Sequence, residues 1–252
     1  MKIQHAAFGQ KGQGRYEYQD RLRVIPRFGK NKQEVWGAVL DGHFGNALTA
    51  EEGAEHLHRF FNQARKKGQT SEQAMVSAYH AVDERCRTFE SGACAATFLL
   101  ERASGKLTFA NAGDVRILLI TPEDVQQLTI DHRTSNRKER ERFLRGPGRI
   151  EGVYFSYGNF DIMVSRSLGD FKLKPAGLIA TPQTGTCLIP QGTSWLVSAT
   201  DGLFDDLLNN HVAEIVRKLE QPSVIIPELI TIAVDRLRSD DDITIVVLRI
   251  TR

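Results

Sequence analysis

Residues 35–45 read VWGAVLDGHFG and join a short apolar run to an acidic turn. The run Val35–Leu40 is rich in large and β-branched residues, which predicts a buried strand. Because this strand leads directly into Asp41-Gly42-His43, a carboxylate is expected at the rim of a sheet. Asp-Gly is also the commonest signal for a tight turn between two strands, so a plain hairpin turn is the alternative interpretation of this stretch on its own.

Carboxylates border predicted strands at three further places. They are Asp201-Gly202 after Trp195–Thr200, Asp241-Asp242 before Ile243–Ile250, and Asn111-Ala112-Gly113-Asp114 between two strands. Two carboxylates held about 4 Å apart repel by roughly 4 kcal/mol at an effective dielectric constant of about 20. A rim that gathers several of them therefore needs cations to be stable. Carboxylate, carbonyl and water oxygens form a hard donor set, which suits Mg²⁺ or Mn²⁺ and not zinc.

The order of the other elements indicates the fold class. Segments rich in β-branched residues predict further strands at Leu22–Ile25, Ala95–Leu100, Leu107–Ala110 and Val115–Ile120. Four helices are expected. Two lie between Asn46 and Phe89, and the other two lie near Asn210–Glu220 and Ile226–Leu237, separated by a break at Gln221–Pro222. Strands and helices do not alternate, which argues against a parallel doubly wound sheet and favours packed antiparallel sheets flanked by helical hairpins.

The second predicted helix has one apolar face. Its apolar side chains recur in steps of four and three residues, at Met75, Tyr79, Val82, Cys86 and Phe89. Thr70 and Gln73 form the sequence pattern of a capping box, so the helix is expected to begin just after Thr70.

The composition is that of an ordinary globular protein. The 252 residues include 33 Lys and Arg against 31 Asp and Glu, so bulk charge indicates neither a nucleic acid nor a membrane as partner. No apolar run approaches the roughly 18 residues that span a bilayer, and the N-terminal sequence does not fit a signal peptide. Cys86, Cys94 and Cys187 form no CxxC pair and no disulfide framework. We therefore expect one monomeric domain over residues 1–252, in a reducing cytoplasm.

Eight short motifs follow one another from Arg15 to the last predicted strand. They are Arg15…Gln19-Asp20, Asp41-Gly42-His43, Ser91-Gly92-Ala93-Cys94-Ala95, Asn111-Ala112-Gly113-Asp114, Leu128-Thr129-Ile130-Asp131-His132, Val164-Ser165-Arg166-Ser167-Leu168-Gly169-Asp170, Asp201-Gly202-Leu203-Phe204-Asp205 and Asp241-Asp242-Ile243-Thr244. In this order they resemble the PP2C (PPM) family of metal-dependent serine/threonine protein phosphatases. The resemblance implies an α+β fold, with a central antiparallel β-sandwich flanked on both sides by helical pairs in four layers. It also implies hydrolysis of phosphate monoesters in phosphoserine and phosphothreonine proteins.

The resemblance assigns most of the carboxylates to a pair of metal ions, Mn²⁺ or Mg²⁺. Asp41 would bridge the two ions, and the carbonyl of Gly42 would bind one of them. Asp201 and Asp241 would hold the other, and Asp20 would reach its ion through water. Such ions lower the pKa of a bound water to about 7–9 and shield the charge of a phosphate monoester.

Three further site residues are implied by the same resemblance. Asp114, together with Asp201, would bind a possible third metal ion. Arg15 would grip two phosphate oxygens with its guanidinium fork, the alternative being a solvated loop arginine. His43 would donate a proton to the departing serine or threonine oxygen, the alternative being a residue that only hydrogen-bonds behind the site.

The chain departs from the family pattern at four positions. Gln19 stands where Glu is familiar, Cys94 where Thr is usual, Val115 where Ser often follows the aspartate, and Asp242 where Asn normally follows the last metal ligand. None of these changes removes a carboxylate predicted to bind metal.

The sequence also bears on functions other than that of a metal-dependent phosphatase. A cysteine-dependent phosphatase is excluded, because its phosphate loop needs an Arg six positions after the Cys and none of the cysteines has one. A catalytically weak or inactive PP2C-like scaffold that binds phosphoproteins remains an alternative, although the metal-binding carboxylates are intact. The basic segment Arg133–Arg149 is interpreted as a solvated face or as a surface for acidic substrates, and it lacks the interleaved aromatics of a nucleic-acid module.

Overall fold

Antiparallel pairing organises the chain into two large sheets and a small one. The computed structural model describes residues 1–252. Its strands are β1 (Lys2–Gln10), β2 (Arg21–Phe28), β3 (Glu34–His43), β4 (Gly92–Glu101), β5 (Lys106–Ala112), β6 (Arg116–Ile120), β7 (Val125–Gln127), β8 (Arg149–Glu151), β9 (Tyr154–Tyr157), β10 (Phe160–Ile162), β11 (Leu168–Gly169), β12 (Gln183–Leu188), β13 (Thr193–Ala199) and β14 (Ile243–Thr251). Its helices are α1 (Leu48–Lys66), α2 (Ser71–Arg85), α3 (Arg137–Phe143), α4 (Asp201–Phe204), α5 (Asn209–Leu219) and α6 (Pro222–Thr231).

The two large sheets draw their strands from different parts of the chain. Sheet 1 has the order β1-β14-β13-β6-β7, and sheet 2 has the order β12-β5-β4-β3-β2, with β11 paired to β4. The small sheet is β10-β9-β8. Neighbouring strands in all of them run antiparallel. Both termini lie in sheet 1, because β1 pairs with β14 along its whole length.

One apolar cluster holds the two large sheets together. Val39 and Phe98 of sheet 2 belong to the same buried cluster as Ile117, Leu196 and Leu248 of sheet 1. Alternate residues of each strand therefore face the opposite sheet, as expected for sheets packed face to face. Burial of such side chains stabilises the fold by about 1.5–3 kcal/mol each, before conformational entropy is counted.

The helices cover the outer faces of the sheets. From α1 and α2, Phe61 and Tyr79 pack into a second buried cluster with Trp36 and Leu99 of sheet 2. The rings of Trp36 and Phe61 lie 4.7 Å apart, and the Tyr79 hydroxyl donates to the carbonyl of Ala95. A third cluster joins residues of α5 and α6 to sheet 1, including Val212, Val216, Ile226, Val197 and Ile245.

The predicted mixed fold built on antiparallel sheets is confirmed. The capping box is also present, since Thr70 accepts from the amide of Gln73 and the Gln73 side chain accepts from the amide of Thr70. The last predicted helix was placed too late, because α6 begins at Pro222, where the fixed φ of proline suits the first turn, and a π-helical turn at Ile232–Arg236 follows it. No helix is long and apolar enough to cross a membrane.

Candidate metal centre

The predicted metal ligands meet at one end of the sandwich. Asp41 lies near the end of β3 in sheet 2, and Asp20 immediately precedes β2 of the same sheet. Asp201 follows β13 and Asp241 precedes β14, which are neighbours in sheet 1. Asp114 lies on the connection from β5 to β6, where the chain crosses from sheet 2 to sheet 1. Both sheets therefore supply carboxylates to one rim.

The backbone at this rim is closely packed around Gly42. A Cβ atom on Gly42 would lie only 2.3 Å from the carbonyl oxygen of Gln19, so only glycine allows β3 and the segment before β2 to approach this closely. This approach brings Asp20 beside Asp41, because Arg21 of β2 pairs with Leu40 of β3. The Asp20 carboxylate is buried and accepts a hydrogen bond of 2.9 Å from the Thr200 hydroxyl.

The carboxylates repel one another strongly when no cation is bound. Burial raises the pKa of Asp41 well above its usual range, and the charges of Asp201, Asp20, Asp114 and Asp241 raise it further. Burial and the charge of Asp114 likewise raise the pKa of Asp201. The pKa of Asp20 rises to about 7, again mainly because of burial. Ionised aspartates at this rim are thus a source of instability in the protein alone.

The donor atoms fit a hard divalent cation. Ligand atoms of Asp41, Cys94 and Asp114 lie within 4.8 Å of one another. Oxygen Oδ1 of Asp114 is buried and has no hydrogen-bond partner, which is costly unless a cation or water contacts it. Burial raises the pKa of Cys94 well above that of a free thiol, and a soft sulfur is not a ligand that Mg²⁺ or Mn²⁺ prefers.

An open acidic cleft of about 440 Å³ is lined by two of the predicted metal ligands, Asp201 and Asp241. No hydrophobic residue lines the cleft, and its charged residues are Arg15, Asp201, Asp205, Asp206, Asp240 and Asp241. Five aspartates against one arginine would repel a phosphate dianion. Recognition of phosphate in this cleft therefore requires cations in addition to Arg15.

Arg15 contacts one of the predicted metal ligands. Its Nη2 lies 2.5 Å from Oδ1 of Asp241, and its side chain is 43% exposed. Arg15 also lines the acidic cleft. Its assignment as the phosphate clamp stays a prediction.

His43 pairs with the buried carboxylate of Asp170, for which the sequence alone predicted no role. Nε2 of His43 lies 2.8 Å from Oδ2 of Asp170, and the Ser167 hydroxyl also donates to Asp170. Burial acts to lower the pKa of His43, but the charge of Asp170 and its hydrogen bond outweigh burial and raise that pKa. The result favours a protonated imidazole at the edge of the site.

Comparison with known proteins identifies the family. A family model described as "Protein phosphatase 2C" matches residues 5–242. The chain belongs to this family. A relative from Oryza sativa subsp. japonica, named "Probable protein phosphatase 2C 32", is 32% identical over 263 residues, covering 95% of this chain and 64% of the relative. A relative from Arabidopsis thaliana, "Probable protein phosphatase 2C 25", is 31% identical and is covered over 59% of its length.

The PP2C fold is also found among solved structures. The serine-threonine phosphatase 2C from Toxoplasma gondii matches with a TM-score of 0.82 and 20% identity, covering 98% of this chain and 94% of that one. At this identity the likeness shows the fold alone. The chain spans less than two thirds of the length of the rice and Arabidopsis relatives.

Asp242 is one of the departures from the PP2C pattern. Its side chain binds the backbone of the loop that carries Arg15. Its Oδ1 accepts from the amide of Gly12 at 2.8 Å, and its Oδ2 accepts from the amide of Gln19 at 2.6 Å. A carboxylate can accept both hydrogen bonds, whereas an asparagine in the same place would offer one acceptor and one donor. The aspartate therefore suits this particular loop.

Arg133 is the main site residue that sequence reasoning missed in this PP2C domain. It contacts Asp114, Asp201 and Asp205, and the sequence alone predicted no role for Asp205 either. The only signal in the sequence was the excess of basic residues in Arg133–Arg149. The solvated-face interpretation of that segment is wrong for Arg133, and also for Arg142, which pairs with the buried Glu139.

Proposed function

We propose that this PP2C domain is a metal-dependent serine/threonine protein phosphatase that hydrolyses phosphate monoesters. The observation that carries the proposal is the convergence of Asp41, Asp114, Asp201 and Asp241, with raised pKa values at Asp41 and Asp201. Carboxylates that repel in this way are stabilised by divalent cations, and the members of the family are metal-dependent. Membership in the family favours phosphoproteins as substrates.

The proposed ligands of two ions are the side chains of Asp41, Asp201 and Asp241 and the carbonyl of Gly42, with Asp20 acting through water. When bound, the ions supply charge that attracts phosphate and a water whose pKa is lowered to about 7–9. The nearly complete burial of the Asp20 side chain supports an indirect role for Asp20. Oxygen-only ligands accept both Mn²⁺ and Mg²⁺.

We assign proton donation to His43 and phosphate binding to Arg15. A protonated His43 can transfer a ring proton to the oxygen of the leaving serine or threonine, a poor leaving group as an alkoxide. Asp170, which already accepts from Nε2, would hold the imidazole in place until substrate arrives and would stabilise its charge. Arg15 enters the cleft beside Asp241 and can offer paired N–H groups to phosphate oxygens.

Hydrolysis of a phosphoserine peptide, followed by phosphate release, tests the proposal directly. Activity is expected with Mn²⁺ or Mg²⁺, to vanish in excess EDTA, and to return when metal is restored. Asp201→Asn should abolish turnover while the circular dichroism spectrum stays unchanged, because a rim carboxylate contributes little to the core. Full turnover in EDTA, or near-wild-type turnover of Asp201→Asn at saturating Mn²⁺, would overturn the proposal. Folded, metal-loaded wild type without turnover would instead favour the inactive scaffold.

A further inference from the structure

The guanidinium of Arg133 is surrounded by carboxylates. Its Nε lies 2.6 Å from Oδ2 of Asp114, its Nη2 lies 2.9 Å from Oδ2 of Asp201, and its Nη1 lies 2.8 Å from Oδ1 of Asp205. Each of the three nitrogens thus contacts a different aspartate. The side chain is only 19% exposed. Partial burial makes these contacts stronger than ion pairs on an open surface.

The backbone at Arg133 is fixed to the same turn that carries Asp114. The preceding residue, His132, donates its amide to the carbonyl of Gly113 at 3.1 Å, and its buried ring contacts the Gly113 backbone. The backbone of Arg133 itself forms an isolated antiparallel β-bridge with Val164. The guanidinium therefore reaches the aspartates from an anchored position, and its pairing does not depend on a mobile loop.

These aspartates include both residues to which the sequence assigned a possible third metal ion. Asp114 and Asp201 each give one oxygen to Arg133, and Asp114 keeps a second, buried oxygen without a partner. A cation such as Mg²⁺ needs ligand oxygens at about 2.0–2.1 Å. A guanidinium that already holds Asp114, Asp201 and Asp205 would repel that cation and compete for the same lone pairs.

We infer that Arg133 is a built-in counter-ion of the Asp114–Asp201–Asp205 cluster, and that it competes with a third metal ion for these carboxylates. The inference rests on the proposed function, in which two other ions are bound through Asp41, Asp201 and Asp241. While Arg133 pairs with these carboxylates, the domain binds only two metal ions tightly. A third ion binds tightly only when the guanidinium moves away.

Calorimetric titration of the metal-stripped protein with Mn²⁺ tests this inference without relying on turnover. We expect wild type to bind two ions well and any third ion weakly. Arg133→Gln should bind the third ion about 10- to 100-fold more tightly, a range typical of changes beside metal ligands. Arg137→Gln is the matched control, because Arg137 lies in the same segment, is exposed, and pairs only with Glu141. It should titrate like wild type.

A second pair of variants assigns the additional ion to the cluster. Adding Asp205→Asn to the Arg133→Gln variant should lower the affinity for the third ion again and leave the affinities for the first two ions unchanged. Arg133→Lys, which keeps the charge but not the fork, should give a third-ion affinity between those of wild type and Arg133→Gln. Identical titrations of wild type, Arg133→Lys and Arg133→Gln would overturn the inference. Wild type that binds no Mn²⁺ would instead overturn the two-metal function on which the inference rests.

Discussion

Asp170 reaches His43 because two strand pairings meet at Gly92. In the β3–β4 ladder His43 is opposite Gly92, and in the β4–β11 ladder Gly92 is opposite Gly169. Asp170 follows Gly169, and a Cβ atom on Gly92 would lie 2.1 Å from its Oδ2. The absence of a side chain at Gly92 therefore leaves the space in which the imidazole and the carboxylate make contact.

Replacing Asp170 by Asn should impair the proposed proton donor. Loss of the carboxylate removes the charge that stabilises the imidazolium, so turnover of phosphoserine peptides should fall by about tenfold or more, but by less than the 10²–10⁴-fold expected for His43→Ala. Turnover of p-nitrophenyl phosphate should change little, because p-nitrophenolate departs without a proton. Asp161→Asn, at an exposed position, is the control.

Coupling to His43 distinguishes this role from a general structural one. In the His43→Ala background, Asp170→Asn should have little additional effect on peptide turnover. Equal losses on both substrates, or independent effects of the two changes, would show that Asp170 does not act through His43.

Candidate site residues were predictable from sequence only where a residue with suitable chemistry, such as a carboxylate, stands next to a recognisable strand. Asp41, Asp201 and Asp241 each border a strand, and such junctions are visible in the sequence before any fold is known. Asp170 contacts His43, 127 residues away in the sequence, and Arg133 contacts Asp201, 68 residues away. No local pattern encodes those distances, since they follow from the pairing of short strands such as β11.

Among the elements, α3 depends on a buried ion network more than on an apolar face. Its Glu139 is 3% exposed and accepts from Arg166 at 2.6 Å, from Arg142 at 2.7 Å and from the Ser165 hydroxyl at 2.6 Å. Burial acts to raise the pKa of Glu139, but these hydrogen bonds outweigh it and lower the pKa well below its usual value. A helix of 7 residues has little stability of its own, so this network must hold it in place.

Glu139→Gln should therefore loosen the segment around α3. Removing one member of a buried ion network leaves the arginines unpaired and typically costs about 3–5 kcal/mol. We expect lower stability in urea and faster trypsin cleavage within Arg133–Arg149. Glu141→Gln, in the same helix but in an exposed pair with Arg137, should cost about 0.5 kcal/mol or less. Equal trypsin sensitivity of the two variants would contradict the role of the network.

Elements with strong periodicity were predicted well, and weakly patterned ones were missed. The capping box and the apolar face of α2 at Met75, Tyr79 and Val82 are confirmed, but the helix ends at Arg85, so Phe89 lies beyond it. The strand β1, KIQHAAFGQ, has few β-branched residues and forms because β14 supplies a partner along its full length. The short strands β8, β9 and β10 and the charged helix α3 likewise depend on tertiary contacts that propensity does not encode.

The candidate metal centre links the two large sheets. Asp41 belongs to sheet 2, whereas Asp201 and Asp241 flank strands of sheet 1. A cation held by all of them binds only when the sandwich is closed, since the ligands are far apart in the sequence. Metal binding should therefore stabilise the entire fold, and repulsion among the aspartates should destabilise it when metal is removed.

Asp201→Asn should separate these two effects in thermal unfolding. The folded-state pKa of Asp201 is raised, so its ionised form costs stability, and that cost grows as the pH rises through the folded pKa. In EDTA the variant should melt no lower than wild type, and its stability relative to wild type should improve as the pH rises above the ordinary pKa of an aspartate, about 3.9. Added Mn²⁺ at about 100 times its Kd should stabilise wild type by about 2.7 kcal/mol for one site, which corresponds to several degrees in Tm. The variant should lose much of this increment, because it lacks a ligand. If Asp201→Asn melts well below wild type in EDTA and Mn²⁺ stabilises the variant as much as it stabilises wild type, then Asp201 contributes to the stability of the fold and does not bind the metal.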